Sequence, residues 1–261
     1  MQICQLDDTE SSVPLSPRTS YLLLEIEENP MPAPASAGAT ELAIDVVSDV
    51  VCPWCFIGKR RLEKAIALKP EISVTVRYRP YFLNPWVPRA GISRTEYLIT
   101  KFGSVDRYKA NAQRIVMAAR QDGLAYNLDA IARQPNTLDC HRLIRWSGES
   151  GDPARMKQRL MELYFTEGAD LSDGEVLVGA ARDCGMDADQ VRQRLAGKED
   201  IDSVSAEAEQ ARAAGIDGVP CFILGGLFAV SGAQAPEYLA DAMERAAAER
   251  AKREAAEMAQ A

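Results

Sequence analysis

The eight residues Ile72-Ser73-Val74-Thr75-Val76-Arg77-Tyr78-Arg79 alternate apolar and polar side chains without a break. A period of two belongs to a β-strand with one covered face. Upstream, Leu42-Ala43-Ile44-Asp45-Val46-Val47 is a shorter β-branched run that reads as a buried strand. Between the two lies a helical stripe: Gly58, Leu62 and Ile66 on one side, Lys59, Arg60, Arg61 and Lys64 on the wet side, ended by Lys69-Pro70. A strand–helix–strand unit narrows the possible folds more than any other feature of the chain. Its right-handed crossover makes the two strands parallel if they are neighbours in one sheet.

From about residue 93 the pattern changes to helices only. Ser93-Arg94-Thr95-Glu96 and Ser172-Asp173-Gly174-Glu175 have capping-box spacing. Asp152-Pro153 supplies a cap followed by proline at the first helical position. Gly103, Gly123, Gly168, Gly185 and Gly197 fall where helices stop. After a further helix near 200–214, Val219-Pro220-Cys221-Phe222-Ile223-Leu224, Gly225-Gly226 and Leu227-Phe228-Ala229-Val230 read as a hairpin, with proline at the start of its first strand. Pro236 opens a last helix with Leu239, Met243 and Ala246 inside.

The order is βαβ, a helical insertion, then ββα. This predicts an α/β protein, a thioredoxin fold interrupted by an all-helical domain. The expected boundaries are a first half at 41–92, the insertion at 93–197, a second half at 198–248 and a frayed tail at 249–261. Residues 1–40 hold five of the fourteen prolines (Pro14, Pro17, Pro30, Pro32, Pro34) and read as a disordered extension. Translation starting at Met31 rather than Met1 is an alternative reading of the same stretch.

A net charge of −8 argues against general nucleic-acid binding and against docking on anionic lipid. No apolar run approaches the roughly 18 residues of a membrane span. Tyr21-Leu22-Leu23-Leu24 is too short for a secretion signal and is followed by Glu25, Glu27 and Glu28. The expected location is the cytoplasm. There, six cysteines do not form a secreted disulfide framework.

Only Cys52 and Cys55 form a close pair, in Cys52-Pro53-Trp54-Cys55. The pair stands at a strand-to-helix junction, where unsatisfied amides and the positive end of the helix dipole favour a thiolate. The second cysteine is one turn along and within reach of a mixed disulfide formed by the first. Cys52 is therefore the predicted nucleophile and Cys55 the resolving thiol. Pro53 removes an amide with no helical partner and stiffens the first turn. Trp54 offers an exposed apolar face, with neither charge nor imidazole.

The alternative for a Cys-x-x-Cys pair is half of a zinc site. Tetrahedral zinc needs four ligands, yet His141 is the single histidine and no second cysteine pair exists. No metal is expected. Asp45, in the first strand, has two readings: an outward-facing acid, or a buried carboxylate that accepts the proton of Cys55. Cys140, Cys184 and Cys221 read as small hydrophobes, and Cys4 is uninformative.

Ser48-Asp49-Val50-Val51-Cys52-Pro53-Trp54-Cys55-Phe56-Ile57-Gly58-Lys59 resembles the active-site segment of the DsbA family, and within it the FrnE-like branch related to 2-hydroxychromene-2-carboxylate isomerases. Arg79-Pro80-Tyr81-Phe82-Leu83-Asn84-Pro85, Asn136-Thr137 with His141-Arg142-Leu143, Gly218-Val219-Pro220 and Ser231-Gly232-Ala233-Gln234 extend the likeness over about residues 41–245. The resemblance implies a cis peptide between Val219 and Pro220, in a loop that lies against the dithiol and meets an extended substrate. It also supports the acid role for Asp45. The implied activity is thiol–disulfide exchange on a protein or small-molecule disulfide, with a cellular thiol as reductant and no bound cofactor. The rival is a glutathione-dependent isomerase or transferase, with glutathione as co-substrate. Such enzymes usually carry serine at the position of Cys52.

Overall fold

The computed structural model describes residues 40–149 and 151–259. The extension up to residue 39, with Cys4 and both candidate starts, lies outside the described residues. The chain opens with β1 (Thr40–Ser48), α1 (Pro53–Leu68) and β2 (Ile72–Pro80). A short β3 (Ile92–Ser93) leads into α2 (Arg94–Phe102) and α3 (Val105–Gln121). Then come β4 (Arg133–Gln134), α4 (Leu138–Ser147), α5 (Pro153–Phe165), α6 (Gly174–Asp183) and α7 (Ala188–Ala196). The chain returns through α8 (Ile201–Ala213), β5 (Cys221–Leu224), β6 (Phe228–Ser231) and α9 (Pro236–Met258).

The main sheet has the order β2-β1-β5-β6. β1 and β2 are parallel, from Thr40 opposite Ile72 to Ser48 opposite Pro80. β5 runs antiparallel to both β1 and β6. A chain segment far downstream of β2 thus pairs with β1 and completes the sheet.

Alternation along β1 divides the core in two. Leu42, Ile44 and Val46 face α1 and α9 and pack with Leu62, Ala65, Phe222, Leu239 and Met243. Val47 belongs to a second cluster that joins Val50, Cys55 and Phe56 to Leu143, Trp146, Met156, Leu160 and Phe165 of the insertion. Each such side chain contributes roughly 1.5–3 kcal/mol when fully buried. Tyr78 of β2 packs against both clusters.

Three local expectations are corrected. The insertion is not helices only, since β3 and β4 form an antiparallel pair; two residues per strand are too few to show a period. The N-cap of α6 is Asp173, which accepts from the Glu175 amide, rather than Ser172. The last helix does not end near Arg250 but continues to Met258 as one element. Its final turns are exposed and stand on helix-forming Ala, Glu, Lys and Arg, with the pairs Arg250–Glu254 and Glu249–Arg253 one turn apart. Among the described residues no helix is long and apolar enough to cross a membrane.

Candidate active site

Cys52 is the N-cap of α1 and Pro53 its first helical residue. Proline costs nothing there, because that amide has no helical acceptor. The Cys52 carbonyl accepts from the Cys55 amide at 3.0 Å, closing the first turn and bringing the two side chains to one end of the helix. Both cysteines are free thiols, 3% and 1% exposed. Trp54 is half-buried against the larger cluster, a correction to its expected exposed face.

The second half of the sheet closes the site. The Val219–Pro220 peptide is cis, and Cys52 Sγ donates to the Val219 carbonyl at 3.6 Å. Gly58 makes this approach possible. A β-carbon there would lie 2.8 Å from Cγ of Pro220 and 3.2 Å from Cζ of Phe222.

The two thiols ionise differently. The Cys55 thiol donating to Cys52 holds the Cys52 thiol below its ordinary range, against burial and the nearby Asp49 charge, with Lys101 also favouring the thiolate. Burial, reinforced by the interaction with Cys52, pushes the Cys55 thiol well up. The two shifts therefore run in opposite directions.

Asp49 is fully buried beneath this pair. Its Oδ2 accepts from the Leu83 amide at 2.8 Å, and its Oδ1 lies 3.4 Å from Nε2 of His141. Burial opposes its charge, but His141, Leu83 and Thr137 together hold the carboxyl below the usual range. Of the two readings of Asp45, the structure gives the outward-facing one. Arg77 clamps Asp45 with two bonds of 2.9 and 2.6 Å, and Arg79 adds a third at 2.7 Å. The one-in-two alternation of β1 places Asp45 opposite Arg77 across the sheet register, so its carboxylate is committed to the strand surface.

Cys140 and Cys221 are buried, and burial raises both thiols, Cys221 to about 11. Cys184 is half-buried at the end of α6.

A model of the DSBA-like thioredoxin domain matches residues 43–244. The chain belongs to this family. A probable DsbA oxidoreductase from Streptomyces coelicolor is 31% identical with a TM-score of 0.72, over 78% of this chain and 89% of that one. The cytosolic disulfide reductase DsbM from Pseudomonas aeruginosa, solved with GSH, shares the fold at 16% identity and TM-score 0.52, over 81% of this chain and 98% of that one. The uncharacterized protein YwbO of Bacillus subtilis is 26% identical over 183 residues, 70% of this chain and 86% of that protein. Membership of the DsbA-like family supports an enzyme of the thiol–disulfide oxidoreductase/isomerase class.

Four residues near the dithiol were given no catalytic role by sequence reasoning: Asp49 and His141, which lie in segments that carry the resemblance, and Tyr126 and Lys157, which were not singled out. Tyr126, from the segment after α3, donates to the Pro53 carbonyl at 2.7 Å and stacks on both Phe56 and Phe165, which also touch each other. His141 lies on α4, in a run of buried residues from Cys140 to Ile144. Lys157 lies on the buried face of α5 with Met156, Leu160, Met161 and Tyr164. A lysine inside an apolar stripe, and an acid just before Val50-Val51, were the available signals.

Proposed function

We propose that the protein exchanges disulfides through Cys52 and Cys55, on a protein or small-molecule substrate in the cytoplasm. The Cys52 thiolate attacks one sulfur of the substrate disulfide and expels the other as a thiolate. Cys55 then attacks Cys52 Sγ, closing the Cys52–Cys55 bond and releasing the second substrate sulfur. The substrate gains two electrons and the dithiol loses them; a cellular thiol reductant restores it, with glutathione the candidate. The DsbM structure solved with GSH supports that choice. Pro53, Trp54, Val219 and Pro220 shape the face on which the substrate lies, and no bound metal or organic cofactor is needed.

The placement of two free thiols on the first turn of α1, with Cys52 as its N-cap against the cis Val219–Pro220 loop, carries this reading. A lowered first thiol attacks, and a raised second thiol holds back until the mixed disulfide forms. Insulin reduction and refolding of scrambled ribonuclease by the wild type, Cys52→Ser and Cys55→Ser test it. Activity is expected in the wild type alone. Turnover of a chromene carboxylic acid with glutathione that survives Cys55→Ser overturns it in favour of a glutathione-dependent isomerase.

A further inference from the structure

We propose that Lys157 is the proton acceptor for Cys55, its amine taking the thiol proton as Cys55 attacks the mixed disulfide. This rests on the exchange reading given above. Lys157 is 1% exposed, and its Nζ has no hydrogen-bond partner among the described residues. A buried ammonium without an acceptor is costly, so an unpartnered lysine in a packed face calls for a role. Its neighbour Gln158 bonds Lys59 of α1 at 2.9 Å, which places this turn of α5 directly over the dithiol helix.

The groups acting on Lys157 come from three elements. Cys55, Cys52 and Lys59 belong to α1, and Asp49 to the loop before it. Tyr78 of β2 presents its ring 5.2 Å from Nζ. Burial brings the lysine down to about 8, and among the neighbouring groups Cys55 acts on it most. Burial thus acts in opposite directions on the two groups, raising the thiol and lowering the amine.

Neither acid competes for the role. Asp49 is held below the usual carboxylate range by His141, Leu83 and Thr137, so its proton affinity is far below that of a raised thiol. Asp45 is tied to Arg77 and Arg79. An acceptor works best when its own pKa lies near the working pH, and burial brings Lys157 there, to about 8.

The step balances. The Cys55 S–H proton passes to neutral Lys157, the Cys55 sulfur bonds Cys52 Sγ, and the substrate sulfur leaves with the electron pair of the broken S–S bond. The ammonium then protonates that leaving thiolate or returns its proton to water.

Mixing the reduced full-length protein with dithionitrobenzoate separates the steps. The first thionitrobenzoate leaves when Cys52 forms the mixed disulfide, and the second leaves in the phase that Cys55→Ser lacks. In the wild type the second phase is expected to rise through about pH 8 and then level off. Lys157→Met should lower the ratio of second to first rate constant by roughly 100-fold or more near pH 8. Lys157→Arg, which keeps the charge but cannot accept a proton, should stay slow as well. An unchanged ratio in Lys157→Met, rescue by Lys157→Arg, or a wild-type phase that still climbs beyond about pH 10 overturns the proposal and leaves dithiol exchange standing. A wild type without any second phase overturns both.

Discussion

The first βαβ unit and the helical insertion contribute to one site in different ways. The unit that runs from β1 to β2 supplies both sulfurs, the helix end and the proline that shapes its first turn. The insertion supplies no sulfur to the dithiol. Instead it sends Tyr126 to the Pro53 carbonyl, His141 to Asp49, and Lys157 into the buried space beside Cys55. Placement of the thiols is thus a local matter of a few residues, whereas the burial that pushes Cys55 up is completed by helices distant in sequence. A helix terminus alone favours the first thiolate; it takes the covering helices to exclude water and hold the second thiol protonated.

The comparison can be broken most sharply at Asp49, where the two regions meet. Asp49→Ala removes the acceptor for the Leu83 amide and the partner of His141 in a dry site. It should cost about 3–5 kcal/mol in denaturant unfolding. Because its folded carboxyl lies below the ordinary value of 3.8, the stability it contributes is present above that pH and is lost as pH falls through the folded value. Asp49→Asn, measured across the same acid range, should therefore show a shallower loss. An Asp49→Ala protein as stable as the wild type would mean that the insertion docks without this contact.

Gly58→Ala tests the other join, between α1 and the cis-proline loop. The added carbon meets the Pro220 ring at 2.8 Å. Overpacking of this kind costs about 1–3 kcal/mol, and the displaced loop should slow the attack by Cys52 in the dithionitrobenzoate assay. Tyr126→Phe sharpens the picture at smaller scale. It keeps the stack with Phe56 and Phe165 and deletes one hydrogen bond, for an expected loss of about 0.5–1.5 kcal/mol in thermal unfolding. Asp45→Asn should do least. Its partners Arg77 and Arg79 are partly exposed, so about 0–1 kcal/mol is expected, with both phases of the thiol assay unchanged. A slowed second phase would return Asp45 to the proton chemistry.

Much of this was legible before any coordinate. The alternation of Ile72–Arg79 and the stripe after Cys55 repeat with the period of their elements, and Gly225-Gly226 marks the hairpin turn after Pro220. Spacing alone put Cys52 and Cys55 on one helical turn. Asp45 and Asp49 show where such reading stops. Both are acids near the end of the first strand, and neither local pattern says which one is dry. Two guanidiniums across the register claim the first, and a histidine from α4 faces the second.

The sequence by itself determined the elements, their order and the dithiol at a helix start, because these depend on periodicity and on neighbours a few residues apart. Only the tertiary structure decided which charges surround the sulfurs. Desolvation and Coulomb interactions act through space, and residues as far along the chain as Lys157 and His141 reach α1 only when the insertion folds back over it.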